Sequence, residues 1–273
     1  MSFLFQHELH KQLKRAPVIH SLGIDISPRA IKLARDNRRL VDAECSSTAG
    51  DPTFDARGST LSFARADILN VMSPVQNARI PSAPPLREVL QRRDQTTWDI
   101  LISNPPYILP SSFYSSTTAR SVRNFEPRIA LVPRAPTTKS QSKTSHLKLS
   151  AEDDIKQGDL FYPRLLSIAR ELRVKVALFE VGDMAQALRV ARMTAFQVDD
   201  DVVRWSKVEV WCDGIADWGG DVVEEEVVMS SCAGATDGDE RNTSMVTIRR
   251  RKDIATPARA VFCYTKEAEA WVG

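Results

Sequence analysis

Short runs of β-branched and apolar residues alternate along the chain with stretches in which apolar positions recur every three or four residues. The runs predict six strands, over residues 18–26, 61–64, 98–103, 174–181, 207–212 and 258–264. The periodic stretches predict helices, over residues 29–40, 159–172 and 184–193, with a shorter one near 86–92. Strands that alternate with helices indicate an α/β fold with a largely parallel sheet.

Two segments depart from this alternation. Residues 134–148 are rich in Thr, Ser and Lys, and residues 208–240 carry ten acidic side chains with no Lys or Arg. Low apolar content and charge of one sign are typical of solvated loops. The sequence therefore predicts flexible insertions near 134–148 and 214–247 within a single domain over 1–273, and it leaves residues 108–131 without a regular element.

Composition excludes several classes of protein. A hydrophobic content of 42% over 273 residues is enough for a packed core and excludes wholesale disorder. With 37 basic and 35 acidic residues, bulk charge argues against a nucleic-acid binder, so we expect no direct nucleic-acid contact. The four cysteines form no C-x-x-C pair, which argues against a zinc site, and we expect no bound metal. No apolar run approaches the roughly 18 residues of a membrane span, and the expected state is a monomer.

Acidic residues close the first two predicted strands. In parallel α/β sheets, ligands bind beyond the carboxyl ends of the strands, which gives these positions functional weight. Asp25 closes the first strand and precedes Ser27-Pro28, a helix-start signal. Its carboxylate is placed either to accept hydrogen bonds from ribose hydroxyls or to support the helix N-terminus. Asp67 and Ile68 follow the second strand, where an acid can accept from an exocyclic amine and an isoleucine can cover an adenine face.

The third predicted strand runs directly into Asn104-Pro105-Pro106-Tyr107. Proline has no N–H and restricts the residue before it to extended geometry, so the two prolines make a stiff turn. The turn presents the side-chain oxygen of Asn104 beside a backbone carbonyl, and two adjacent acceptors suit one planar –NH2 group. Holding both N–H bonds toward acceptors orients the delocalised lone pair of that nitrogen for attack on a sulfonium methyl group. Tyr107 can stack on the planar group that carries the nitrogen; the alternative for the whole motif is an ordinary Pro-Pro loop.

These motifs, in this order, resemble those of HemK-type methyltransferases. The resemblance is carried by the segments GIDIS, RADIL, ISNPPYI, VRNFEPRIAL, GDLFYPRLL and LFEVGDMAQA, and it covers most of residues 18–212 and the strand near 258–264. Asn-Pro-Pro-Tyr is shared with adenine-N6 and other amino methyltransferases, whereas the fourth segment is more particular to the glutamine enzymes. HemK-type enzymes use S-adenosylmethionine (SAM) to methylate the glutamine amide in the Gly-Gly-Gln loop of translation release factors.

The resemblance implies a Rossmann-like class I methyltransferase sheet and a role for each motif. The implied cofactor contacts are Asp25 for the ribose, Asp67 and Ile68 for the adenine, and Ile26 and Asn104. Asn104 and Pro105 would also bind the substrate amide, and Tyr107 would line its pocket. A peptide chain release factor is the implied partner. Eukaryotic members are mitochondrial or cytosolic, so we expect a mitochondrial location, with a cytoplasmic one as the alternative.

The chain departs from the family at its start. The family begins with a small helical domain, followed by a strand and a glycine-rich loop that wraps the methionine part of the cofactor. Here Met1 falls where that loop should end, and none of the 11 glycines forms G-x-G. The sequence therefore predicts a domain that lacks its first strand and glycine-rich loop, with two strand edges left unpaired. Two alternatives stay open: an amino methyltransferase acting on adenine or another base of a nucleic acid, and a non-catalytic truncated remnant.

Overall fold

The alternation of strands and helices predicted from the sequence is present in the structure. The computed structural model describes residues 18–47, 59–70, 83–134, 149–199, 202–214, 222–230, 243–252 and 256–272. The chain divides into two compact units, Met1–Thr96 and Thr97–Gly273, and each is described by itself. The prediction of one domain over 1–273 stays a prediction. All six predicted strands are confirmed, with ends that differ by at most two residues.

The first unit is a strand–helix–strand arrangement followed by a short helix. β1 (His20–Asp25) pairs in parallel with β2 (Thr60–Arg65), and α1 (Pro28–Ser47) lies between them in the chain. The Ser27 hydroxyl accepts a hydrogen bond at 3.3 Å from the first turn of α1, which caps the helix as the Ser-Pro signal predicts. α2 (Leu86–Gln91) follows β2 in the chain. The parallel pairing places the carboxyl ends of β1 and β2 side by side.

The second unit contains a six-stranded mixed sheet. Its strands, in spatial order, are β3 (Ile100–Ser103), β4 (Val176–Glu180), β10 (Ala258–Tyr264), β7 (Lys207–Cys212), β9 (Thr243–Arg251) and β8 (Val222–Ser230). β3 is parallel to β4 and β7 is parallel to β9, whereas β10 runs antiparallel to both of its neighbours. The expectation of a largely parallel sheet therefore needs correction, because β10 returns between β4 and β7 in the opposite direction. The result is a mixed α/β architecture that is compatible with a Rossmann-like fold.

Short helices connect the strands of the second unit. α3 (Pro110–Tyr114), α4 (Arg120–Phe125) and α5 (Arg128–Leu131) occupy the stretch that the sequence leaves without a regular element. The remaining elements are α6 (Ala151–Gly158), α7 (Phe161–Glu171), α8 (Met184–Ala195), the antiparallel pair β5 (Val198–Asp199) and β6 (Val202–Val203), a 3-10 turn (Lys266–Ala268) and α9 (Glu269–Val272). Among the described residues, no helix is both long and apolar enough to cross a membrane.

The core of the second unit lies between α8 and the sheet. α8 packs against β10 and β7. The buried face of α8 is built from small and β-branched side chains, those of Ala187, Val190, Ala191 and Thr194. On the sheet, Phe179, Val210 and Val261 are fully buried. Small side chains let the helix approach the sheet closely. The short β4–α8 connection, residues 181–183, therefore joins two elements that are both packed in the core.

The acidic segment predicted as a flexible insertion contributes two strands to the sheet. β8 and β9 pair antiparallel along their whole lengths. Glu224 lies opposite Arg249, with guanidinium Nη2 2.7 Å from a carboxylate oxygen, and opposite charges across such a pair stabilise it. The prediction of a flexible insertion near 214–247 is therefore wrong for these two strands. The acidic residues of β8 pair with the basic end of β9, which allows the segment to form a regular ladder. Residues 215–221 and 231–242 lie outside the described residues, as do 135–148 of the other predicted insertion.

β1 and β3, between which the sequence predicts a missing strand, are among the strands with a single ladder partner within the described ranges. β1 pairs with β2 alone, and β3 pairs with β4 alone. These are the two strands at which the sequence predicts an unpaired edge. An unpaired edge leaves backbone N–H and C=O groups that need other partners.

Val246 tests the packing of β8 and β9 onto the rest of the sheet. Its side chain is fully buried, whereas Val228 on the partner strand is 61% exposed. We expect Val246→Ala to lower the free energy of unfolding by about 2 kcal/mol, through lost apolar burial and the cavity left behind. Val228→Ala is the control and should change it by less than about 0.5 kcal/mol. Urea denaturation measures both values, and equally small effects at the two positions would contradict the packing described.

Candidate functional site

The predicted Asn-Pro-Pro-Tyr turn begins where β3 leaves the sheet. We call residues Asn104–Tyr107 the elbow. β3 and β4 are parallel, with Ser103 opposite Phe179, so their carboxyl ends lie at the same edge of the sheet. The elbow follows β3, and Glu180 closes β4. This edge is where ligands bind in open α/β sheets.

The elbow combines an exposed amide with a buried ring. Asn104 is exposed, Pro105 is buried and Pro106 is half-buried. The two prolines donate no hydrogen bonds and restrict the residues before them to extended geometry. The chain beyond the elbow is tied down by the N–H of Ile108, which donates to the carbonyl oxygen of Leu131 at 2.9 Å. Within the described part of the chain the Asn104 side chain makes no hydrogen bond, so its amide group is open to a ligand.

Tyr107 is held by the carboxyl end of the neighbouring strand. Its hydroxyl donates a hydrogen bond to Glu180 Oε1 at 3.1 Å. Burial, together with the negative charge of Glu180, raises the pKa of Tyr107 to about 12. The phenol is therefore neutral at physiological pH, where it acts as a hydrogen-bond donor and not as a base.

Glu180 is itself fixed through its backbone. The Tyr162 hydroxyl donates to the Glu180 carbonyl oxygen at 2.9 Å, and Tyr162 is fully buried on α7. Burial, with the nearby charge of Asp159, raises the pKa of Tyr162 well above its usual value, so this hydroxyl is also a permanent donor. On the other side of β4, Glu180 lies opposite Ala260 in the ladder with β10. The carboxylate that meets Tyr107 is thus carried by a rigid strand end.

Two glycines give the elbow the room it occupies. A Cβ atom on Gly182 would lie 3.1 Å from Tyr107 Cδ2, which is a tight contact. A Cβ atom on Gly158 would clash with the Leu109 side chain and would lie 3.6 Å from the Tyr107 carbonyl oxygen. Glycine at these positions lets the β4–α8 connection and the end of α6 approach the elbow closely.

In the first unit, the structure brings Asp25 and Asp67 to adjacent strand ends. The Asp25 carbonyl oxygen accepts the N–H of Ala66 at 3.1 Å, which continues the parallel ladder to the residue before Asp67. Each carboxylate also accepts one backbone N–H from two residues further on, Ser27 at 2.7 Å for Asp25 and Leu69 at 3.0 Å for Asp67. Asp25 therefore supports the start of α1, which is one of the two roles that the sequence predicts for it. This hydrogen bond occupies only one of its two carboxylate oxygens.

The apolar residues that follow these acids are accessible to different degrees. Ile26 is 38% exposed, and Ile68 is half-buried. The backbone beside Ile68 is fixed by the N–H of Asp67, which donates to the Pro84 carbonyl oxygen at 2.9 Å. The residues predicted to contact the cofactor thus belong to the first unit, apart from Asn104, which belongs with the elbow to the second.

Two buried polar side chains beside the elbow are not predicted by the sequence as site residues. One is Tyr162, and the other is Gln186, whose Nε2 lies 3.2 Å from the Tyr107 carbonyl oxygen. The available signal is that Gln186 stands four residues before Val190, on the apolar face of α8. A polar group on such a face needs hydrogen-bond partners, although the helical pattern alone does not identify them.

The acceptors at the strand ends of the first unit are of the kind that the nucleoside half of SAM, the cofactor implied by the resemblance, would need. Two carboxylates, each with one oxygen outside its turn hydrogen bond, can accept from the ribose hydroxyls and the adenine amine. For the methionine half, no glycine-rich turn follows a strand in the described ranges, and the sequence holds no G-x-G. The residues present therefore match one part of that cofactor only.

Neither metal-binding clusters among the described residues nor similar proteins point to another functional site. Across the described ranges, no group of three or more His, Cys, Asp or Glu side chains is arranged to hold a metal ion. No protein-family model, curated protein or solved structure matches the chain significantly. The function is therefore inferred from the chemistry of the strand ends.

The Tyr107 hydroxyl gives a direct test of the elbow's anchor. In a spectrophotometric phenolate titration, the difference between wild type and Tyr107→Phe should be one tyrosine that titrates near pH 12. Because the folded pKa lies above the unfolded value of about 10, the contribution of Tyr107 to stability is present below pH 10. It is lost as pH rises toward 12. A difference curve centred near pH 10 would show that Tyr107 is neither buried nor bonded to Glu180.

Proposed function

We propose that the chain is a SAM-dependent N-methyltransferase whose substrate is a side-chain carboxamide, that of the glutamine in the Gly-Gly-Gln motif of a peptide chain release factor. The observation that carries the proposal is the elbow. An exposed Asn104 amide stands at the carboxyl end of β3, on a proline turn anchored through Tyr107 to Glu180. The order of strand-end motifs, with its resemblance to HemK-type enzymes, supports the choice of substrate.

The elbow suits a planar –NH2 group. Such a group has two hydrogens to donate, and Asn104 Oδ1 and the Pro105 carbonyl are two acceptors on adjacent residues. The nitrogen lone pair of an amide is delocalised, which makes the amide a weak nucleophile. Holding both N–H bonds toward fixed acceptors leaves the lone pair pointing in one direction, and such orientation is a large part of catalysis between two bound groups.

Tyr107 completes the site by shape and not by proton transfer, and the proton that the amide nitrogen loses on methylation would pass to water. Tyr107 stays protonated because its pKa is raised to about 12, so its hydroxyl keeps donating to Glu180. The hydrogen bond fixes the ring, whose face can then pack on the planar amide of a substrate. Glu180 orients Tyr107 and is in that sense a positioning residue.

The cofactor roles fall to the acids of the first unit. SAM carries a methyl group on a positively charged sulfur, which makes that methyl a good electrophile. Asp25, with Ile26, is assigned to the ribose hydroxyls, and Asp67, with Ile68, to the adenine. The hydrogen bonds that Asp25 and Asp67 accept from their own turns fix the orientation of each carboxylate. A carboxylate held in this way needs little reorganisation to accept a ligand hydroxyl or amine.

Asn104→Ala tests the proposal. We expect the variant to lose about 100-fold or more of its methyl transfer to a Gly-Gly-Gln peptide, because one of the two acceptors that orient the amide is gone. The affinity for SAM, measured by titration calorimetry, should fall much less than the transfer rate, because the contacts assigned to Asp25 and Asp67 remain. Asn37→Ala, at an exposed position on α1 outside the site motifs, is the matched control and should leave transfer unchanged.

Three outcomes would contradict the proposal. Unchanged turnover of Asn104→Ala would remove the role given to Asn104. Transfer to an RNA or DNA oligomer but not to the peptide would favour an amino methyltransferase acting on nucleic acid. Absence of SAM binding by the wild-type chain would favour a non-catalytic remnant.

A further inference from the structure

Gln186 is a buried carboxamide on the apolar face of α8. Its side chain is 2% exposed, in the same stripe as the fully buried Ala187 and Val190. Burying an amide costs free energy unless its donors and acceptor are satisfied. The partners of Gln186 therefore indicate what the residue does.

Every polar atom of the Gln186 side chain has a partner, and one of these belongs to the elbow. Oε1 accepts the N–H of Gly182 at 2.8 Å, within the β4–α8 connection. Nε2 lies 3.2 Å from the carbonyl oxygen of Tyr107, 3.3 Å from that of Gly158 and 3.0 Å from Asp159 Oδ1. A single amide thus joins the elbow to the end of α6 and to the start of α8.

The orientation of the amide is set by its neighbours. Asp159 accepts a two-point contact from Arg189, with Nε 2.6 Å from Oδ2 and Nη2 3.0 Å from Oδ1. An ionised carboxylate only accepts and the N–H of Gly182 only donates, so the nitrogen of Gln186 must face Asp159 and its oxygen must face Gly182. Asp159 follows the end of α6, and Arg189 lies on α8, one turn beyond Gln186. This pair therefore directs the Nε2 donors of Gln186 toward the elbow.

We infer that Gln186 is a positioning residue that holds the elbow in place through the Tyr107 carbonyl. Tyr107 is then fixed at two points, by its hydroxyl on Glu180 and by its backbone on Gln186. Asn104, at the other end of the elbow, is exposed and its side chain makes no hydrogen bond within the described part of the chain. The inference rests on the proposed function only for the identity of that substrate.

Hydrogen exchange at Ile108 tests the inference without any activity. Ile108 directly follows the elbow, and its N–H donates to the Leu131 carbonyl oxygen at 2.9 Å, so we expect a displaced elbow to weaken this bond. Gln186→Glu keeps the shape of the side chain but replaces the Nε2 donors with a carboxylate oxygen. This oxygen would face three other acceptors, the carbonyl oxygens of Tyr107 and Gly158 and Asp159 Oδ1, and would repel them. We expect the protection factor of the Ile108 amide to fall about tenfold. Gln186→Met, which removes the donors without adding charge, should act in the same direction and serves if the first variant does not fold.

Gln197→Glu is the matched control. Gln197 also bridges two elements with its amide, donating to the Leu166 carbonyl oxygen at 2.9 Å and accepting from Trp205 Nε1 at 2.8 Å. None of these contacts involves the elbow. We expect Gln197→Glu to leave the Ile108 protection factor unchanged, even if it lowers overall stability.

The methyl-transfer assay separates this inference from the proposed function. In an active enzyme, Gln186→Glu should lower kcat for the Gly-Gly-Gln peptide with SAM affinity kept, and lower pH should restore part of it, because a protonated carboxyl can donate again. Unchanged Ile108 protection in both Gln186 variants would overturn the positioning role, whatever the activity. Reduced Ile108 protection in the Gln186 variants, together with a wild-type chain that transfers no methyl group, would support the positioning role and overturn the proposed function.

Discussion

The hydrogen bond between Tyr107 and Glu180 joins the two strand ends on which the proposed site depends. It can form because β3 and β4 are parallel neighbours, which brings the residues after Ser103 and Phe179 to the same edge. The prolines make the chain between Asn104 and Tyr107 stiff, so fixing the tyrosine also fixes the asparagine. A flexible loop in the same place would leave the Asn104 side chain without a fixed direction.

The rest of the second unit supports this arrangement. Tyr162 holds the backbone of Glu180, and Gln186 holds the backbone of Tyr107. Gly158 and Gly182 leave the space in which these contacts are made. Buried polar groups of this kind are costly when they lack partners, so a fully bonded set also specifies one geometry. Orientation at the exposed amide is thus a consequence of bonds made in the interior.

Local sequence patterns predicted the strands well, whereas the chemistry assigned to the strand ends stays a prediction. The elbow and the acids at Asp25 and Asp67 could be located because proline and carboxylate side chains have effects that do not depend on distant residues. The acidic strand β8 was not predicted because the matching charge, Arg249, lies on its partner β9. Pairing between two strands cannot be recognised from the local sequence of either strand alone. Gln186 was missed for the same reason, since its partners come from three other parts of the chain.

The location of a transferred methyl group tests the assignment of the elbow most directly. The 273-residue chain would be incubated with SAM, a Gly-Gly-Gln peptide and an RNA oligomer, and both products would be fragmented in a mass spectrometer. We predict one methyl group on the side-chain nitrogen of the glutamine and none on the bases. A methyl group on the RNA alone, or no transfer by a chain that binds SAM, would contradict the assignment.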